Sequence, residues 1–227
     1  MKLVMFDVDG TLTETVQADE ECFVQALREV FGFTDVDTDW ASYPYCTDSG
    51  ILETLCQQRL GRSPSGVEAS SFQSHFLYLL ILAAAAHPFS PIAGAKDIIL
   101  SLISSPTFAV SIASGAWECS ARFKLANANL HFPCIPAAFS DCAHSREAIM
   151  QASVARAAEF YSRPAFDVVV YVGDGLWDAR ASSNLGFSFV GISRDPAKVE
   201  RLYAEGAVRV FLNYLDKDAI LNVLTSV

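Results

Sequence analysis

Five short apolar runs punctuate the second half of the chain, each flanked by stretches with helical spacing, and this alternation restricts the fold more than any other feature. The runs are FAVSIAS (108–114), Ile135 to Phe139, FDVVVYVGD (166–174), FSFVGIS (187–193) and VRVFLN (208–213). Helical spacing falls near 94–104, 116–128, 145–160, 177–185 and 196–205, with a last segment at the C-terminus. Strands alternating with helices of ~10 to 15 residues build a parallel sheet with helices on both faces. A further apolar run, residues 3–8 within MKLVMFDVDGTLT, opens the chain. The expected class is therefore α/β, a doubly wound parallel sheet.

A purely helical block interrupts that sheet after its first strand. VQADEECFVQALREVF (16–31) places apolar residues at helical spacing, SGILETLCQQRL (49–60) closes at Gly61, and 67–86 ends before Pro88. The expected division is a core of residues 1–14 and 88–227 with an inserted helical cap of 15–87. Hydrophobic residues make up 52% of the chain, ample for a core, and 12 Gly and 9 Pro are too few to suggest disorder.

Charge and composition narrow the partners. The formal net charge of −10, with no basic block, disfavours nucleic acid. FLYLLILAAAA (76–86) falls well short of the ~20 residues that span a bilayer and reads as a buried helix, so no membrane is expected. Acidic residues within the first ten positions leave no room for the apolar core of a signal peptide. The six cysteines show neither a CxxC pair nor zinc spacing. Reduced thiols in a cytoplasmic protein are expected.

In doubly wound sheets ligands sit beyond the carboxyl ends of the strands. The first strand ends in Asp7 and Asp9, with Gly10 and Thr11 turning the chain away. Capping of turn amides would explain one such Asp. Two at this spacing repel unless a cation, a proton or bound donors intervene. The run VVVYVGDGLWD supplies Asp174 and, one helical turn later, Asp178. Its glycines are not a dinucleotide fingerprint, because the third would fall on Asp178. Four carboxylates around one hard cation, Mg²⁺, account for both pairs. Ser114 and Gly115 end another strand at a helix start, where Ser is a common N-cap and where amides and a hydroxyl also suit an anion. Arg146 opens a helix against the helix dipole, which suggests a task elsewhere, such as holding a phosphate and a carboxylate together.

Taken in order, DVDGT (7–11), strand-SG (114–115), a basic residue at 146 and GDGLWD (173–178) resemble the four motifs of the haloacid dehalogenase-like superfamily. The helical insertion resembles the branch that includes phosphoglycolate phosphatase and β-phosphoglucomutase. The resemblance implies a Mg²⁺-dependent phosphatase acting on a small phosphorylated metabolite. Asp7 would be the nucleophile and Asp9 the general acid and base. Asp7, the backbone carbonyl of Asp9, and Asp174 would ligate the metal, with Asp178 ligating directly or through water. Ser114, the Gly115 amide and Arg146 would hold the phosphoryl oxygens, with Thr11 grouped among the substrate-binding residues.

The sequence departs from the family pattern in two places. The third motif is more often Lys-Pro, where this chain has Arg146-Glu147. The cap segment SYPYCTDSGI carries Cys46, Thr47 and Asp48 without an Arg, so Tyr45 to Asp48 are expected over the strand ends with Thr47 and Asp48 against the substrate. That composition disfavours a second anionic group on the substrate. Cys46, Trp117 and Trp177 read as packing residues. A phosphomutase of the β-phosphoglucomutase type, or a silent binding protein on the same fold, are the competing readings. The absence of Lys between positions 3 and 95 disfavours a phosphonatase, and Asp9 disfavours a dehalogenase.

Overall fold

A computed structural model describes residues 1–227. The strands are β1 (Lys2–Phe6), β2 (Phe108–Ala113), β3 (Ala137–Ala138), β4 (Val169–Gly173), β5 (Ser188–Ile192) and β6 (Arg209–Phe211). They form one sheet in the order β3-β2-β1-β4-β5-β6, parallel throughout. Met5 of β1 lies between Ser111 of β2 and Tyr171 of β4. Chain order reverses direction between β1 and β4, which is where such sheets leave a crevice beyond their carboxyl ends.

Successive strand residues point to opposite faces, and both faces are buried. Leu3 and Met5 pack with Tyr171, Phe189, Ile149 and Met150 on one side. Val4 and Phe6 join Val110, Val172, Ile98 and Leu102 on the other. Helices α6 (Arg146–Phe160), α7 (Leu176–Leu185) and α8 (Pro196–Ala204) cover the first face; α4 (Ala95–Ile103) and α9 (Lys217–Ser226) cover the second. Helix α5 (Glu118–Asn127) follows β2.

Three helices lie between β1 and β2 in the chain: α1 (Val16–Phe31), α2 (Asp48–Leu60) and α3 (Gly66–Ala86), with a single 3₁₀ turn at Trp40–Ser42. Phe23 of α1 meets Phe72 and Phe76 of α3 edge-on at 5.2 and 5.4 Å, and stacks on Trp117 at 6.1 Å. Trp117 precedes α5, so the aromatic cluster joins the helices to the sheet in one continuous apolar core. Trp117 is thus a packing residue, as its sequence suggested.

Element boundaries move by a few residues, with local reasons. Gly94, at φ 81°, and Trp117, with extended backbone, stand outside the helices they precede. β3 is reduced to two residues because Pro136 cannot donate to a ladder, although its carbonyl accepts from Ile112 N at 3.0 Å. Helix α3 departs further from expectation. It is long and apolar enough, by length and composition, to cross a bilayer. Only one stripe of it is buried, however, through Phe72, Phe76, Leu79, Leu80 and Ala84, while Tyr78, Ile81 and Leu82 are exposed.

The two faces of α3 should respond differently to truncation. Phe72→Ala removes a ring with no exposed surface and should cost about 3–5 kcal/mol. Tyr78→Ser, at 53% exposure, should stay within about 0.5 kcal/mol. Urea unfolding of both variants measures the contrast, and equal losses would contradict the packing described.

Candidate active site

The crevice at the carboxyl ends of β1 and β4 holds a cavity of about 140 Å³ roofed by the helical block. Asp7 ends β1, and its amide bonds Val172 O of β4 at 3.0 Å. Gly10 then turns the chain at φ 70°, and a Cβ there would lie 2.5 Å from Asp174 Oδ2. Only glycine allows the first loop to approach the β4 loop this closely.

Asp7, Asp174 and Asp178 present ligand atoms that all lie within 4.8 Å of one another. All three are buried. Arg146, at the first turn of α6, reaches Asp7 Oδ1 at 3.2 Å and Asp178 Oδ1 at 3.3 Å. Its departure from Lys-Pro therefore leaves a cation where the sequence expected one. A Cβ on Gly115 would meet the Arg146 guanidinium carbon at 2.8 Å, so this glycine makes room for the fork. Lys198 of α8 bonds Asp174 Oδ2 at 2.5 Å. Burial nevertheless raises Asp174 from its ordinary value and pushes Asp178 up to about 8. Three hard oxygen donors, gathered where two cations do not relieve the cost of their charge, fit a divalent metal.

The carboxylate of Asp9 turns away from this trio. Oδ1 accepts from Thr15 Oγ1, and Oδ2 accepts from Lys124 Nζ at 2.6 Å. Lys124 comes from α5, has no exposed surface, and also bonds Asp19 of α1 at 2.5 Å. Burial alone would lower the pKa of the ammonium, but Asp19 and Asp9 hold it above its ordinary value. Burial pushes Asp19 up to about 6.

Ser114 and Gly115 line the cavity beside Asp7 and Arg146. The Ser114 hydroxyl accepts a 3.3 Å bond from Ala116 N. The expected cap residues divide. Cys46, Thr47 and Asp48 line the cavity, whereas Tyr45 is 43% exposed and lies beside the His144 ring. Thr47 caps α2, accepting from Gly50 N at 3.1 Å and donating to His144 O at 2.7 Å. Asp48 N donates to Gly115 O at 2.8 Å, and Asp48 Oδ2 accepts from Trp117 N at 2.9 Å. The start of α2 is thereby latched onto the loop after β2. Burial raises Asp48 well above the usual carboxylate range. The Cys46 thiol, pushed up to about 12 by burial, stays protonated near neutral pH.

Two site candidates do not line the cavity: Asp178, which stands behind Asp7 and Asp174 in the acidic trio, and Thr11. The loop folds back so that the Thr11, Leu12 and Thr13 amides all converge on Val8 O, and the Thr11 hydroxyl is buried without a partner. Trp177, expected to pack, lies with its indole so close over Gly175 that a Cβ there would clash with it, and also borders the cavity; its N–H is buried and unpaired. Five contributors went unread in the sequence: Asp19, Glu20, Trp40, Lys124 and Lys198.

A family model for haloacid dehalogenase-like hydrolases matches residues 1–186. The chain belongs to that family. It is accordingly a hydrolase, with the six-stranded core of the haloacid dehalogenase-like fold. A hydrolase from Pseudomonas syringae superposes with a TM-score of 0.73 at 21% identity, covering 98% of each chain. A HAD hydrolase of family IA, variant 3, from Entamoeba histolytica gives 0.69 at 14% identity over 99% of this chain and 100% of that one. CbbY from Rhodobacter sphaeroides, solved in complex with phosphate, gives 0.65 at 16% identity over 93% and 94%. No functionally curated protein matches the sequence significantly.

Within this hydrolase the buried ammonium has a direct test. Lys124→Met leaves Asp9 and Asp19 facing each other without a cation and should cost about 3–5 kcal/mol. Adding Asp19→Asn to that variant should recover part of the loss, since one of the stranded charges is gone. A thermodynamic cycle from chemical unfolding reads the coupling; strict additivity would show that Lys124 and Asp19 act independently.

Proposed function

We propose that this hydrolase is a Mg²⁺-dependent phosphatase that cleaves a small phosphomonoester through an aspartyl-phosphate. The observation that carries this reading is the placement of Asp7, a buried carboxylate at the switch point of the sheet. It is held by Arg146 and flanked by Asp174 and Asp178 in a cavity that Ser114 and Gly115 also line.

Asp7 Oδ attacks phosphorus, forming the acyl-phosphate bond as the ester P–O bond breaks. Asp9 gives the departing alkoxide a proton and then takes one from the water that cleaves the acyl-phosphate, a role worth ~10² to 10⁴-fold. Before that it must leave Lys124 and Thr15, so its rotation belongs to the catalytic cycle. Arg146, the Ser114 hydroxyl and the Gly115 amide orient the phosphoryl oxygens and offset the charge they gather. A divalent ion bound by Asp7, Asp174 and Asp178 would supply further charge neutralisation. Helices α1 to α3, acting as a cap, exclude water while the leaving group departs.

Hydrolysis is favoured over phosphomutase chemistry because a second phosphate needs a second cationic cradle. Arg146 and Lys198 are the cationic side chains lining the cavity, and both are engaged by carboxylates. The competent set of acids likewise argues against a silent binding protein.

Phosphate release from a panel of phosphorylated metabolites should require Mg²⁺ and cease on chelation. Full activity in excess chelator, with no retained metal, would refute the metal requirement. Asp7→Asn should abolish turnover. Asp9→Asn should spare activated aryl esters relative to alkyl esters, because a good leaving group needs little proton donation. Normal turnover by Asp7→Asn would remove the nucleophile assignment.

A further inference from the structure

Resting on the phosphatase reading, we propose that the substrate is the phosphate ester of a small cationic alcohol, an amino alcohol or its quaternary ammonium form. Its cationic end would sit beside Glu20 and the rings of Trp40 and Phe23.

Charge is the first ground. Six carboxylates and two cationic side chains line the cavity, and both cations are occupied at the phosphoryl end. Every charged residue that α1 and α2 contribute to the lining is acidic: Asp19, Glu20 and Asp48. An anionic leaving group would find no free cation on this side of the cavity and would face the Glu20 carboxylate, and burial of charge without a partner is costly. A cation would offset that carboxylate.

The second ground is which acid is available. Asp19 is engaged by Lys124, and Asp48 by the Trp117 amide. Glu20 accepts from the Trp40 indole through Oε2 at 2.7 Å, which leaves Oε1 without a protein partner. That bond also fixes the Trp40 ring beside the carboxylate. Phe23 packs edge-on to Trp40 at 6.0 Å and lines the same cavity. Aromatic faces attract ammonium groups, and desolvated cages of this composition recognise quaternary ammonium ions.

Size is the third. At about 140 Å³ the cavity is on the scale of a small alcohol phosphate rather than of a nucleotide.

The test compares kcat/KM for phosphoethanolamine and phosphocholine with that for 2-hydroxyethyl phosphate, a neutral analogue, and phosphoglycolate, an anionic one. 4-Nitrophenyl phosphate reports phosphatase activity independently of leaving-group charge. At least one cationic ester should exceed the neutral analogue by about tenfold or more, with phosphoglycolate poorest. Glu20→Gln should bring the ratio of cationic to neutral ester toward one. Hydrolysis of 4-nitrophenyl phosphate with a preference for neutral or anionic esters would overturn this inference and leave the phosphatase reading intact. Failure to hydrolyse any ester would overturn both. A cationic preference unchanged in Glu20→Gln would overturn the role given to Glu20.

Discussion

Everything at the centre of this molecule depends on buried carboxylates that outnumber the cations facing them. Asp7, Asp174 and Asp178 share Arg146 and Lys198, while Asp9 and Asp19 share Lys124. Such an excess in a low-dielectric crevice is unfavourable, and it persists only where surrounding structure fixes it. Here the fixing elements are strand ends and helix starts. Asp7 directly follows β1, the loop after β4 carries Asp174, the first turn of α7 carries Asp178, and α6 begins with Arg146. Because β1 and β4 are adjacent in the sheet while most of the chain runs between them, the acids converge from positions far apart in sequence. The imbalance suits a site whose working state includes further positive charge.

Much of this was legible in the sequence, because its signals are local. Apolar runs alternating with helical spacing determine a parallel sheet, and a parallel sheet determines where its strand ends lie. Asp7, Asp174, Asp178, Ser114, Gly115 and Arg146 could be grouped on that basis, and the structure brings them together. Side-chain direction could not be read in the same way. Thr11 sits two residues from Asp9 yet turns behind the loop, and Tyr45 adjoins Cys46 yet faces outward.

The unread residues fail for a related reason: each depends on a long-range partner. In ECSARFKLAN, Lys124 reads as an ordinary exposed helix residue. Its periodic companions are Ser120, Ala121 and Leu125, all buried, and a Lys on that face was the available signal. Lys198 lies near the start of α8, where a cation opposes the dipole, the same irregularity that drew attention to Arg146. Asp19 and Glu20 had a sufficient local explanation, since acids are favoured near a helix start. Asp48, in turn, could not be known to cap the next segment of the core, because that contact spans 69 positions.

The latch formed by Asp48 has a mechanical consequence. Any separation of the helical block from the sheet breaks the Asp48 N to Gly115 O and Trp117 N to Asp48 Oδ2 bonds. It also parts the Phe23–Trp117 stack. All three contacts involve the loop that carries Ser114 and Gly115, so parting the helices from the sheet and loosening that loop are one motion.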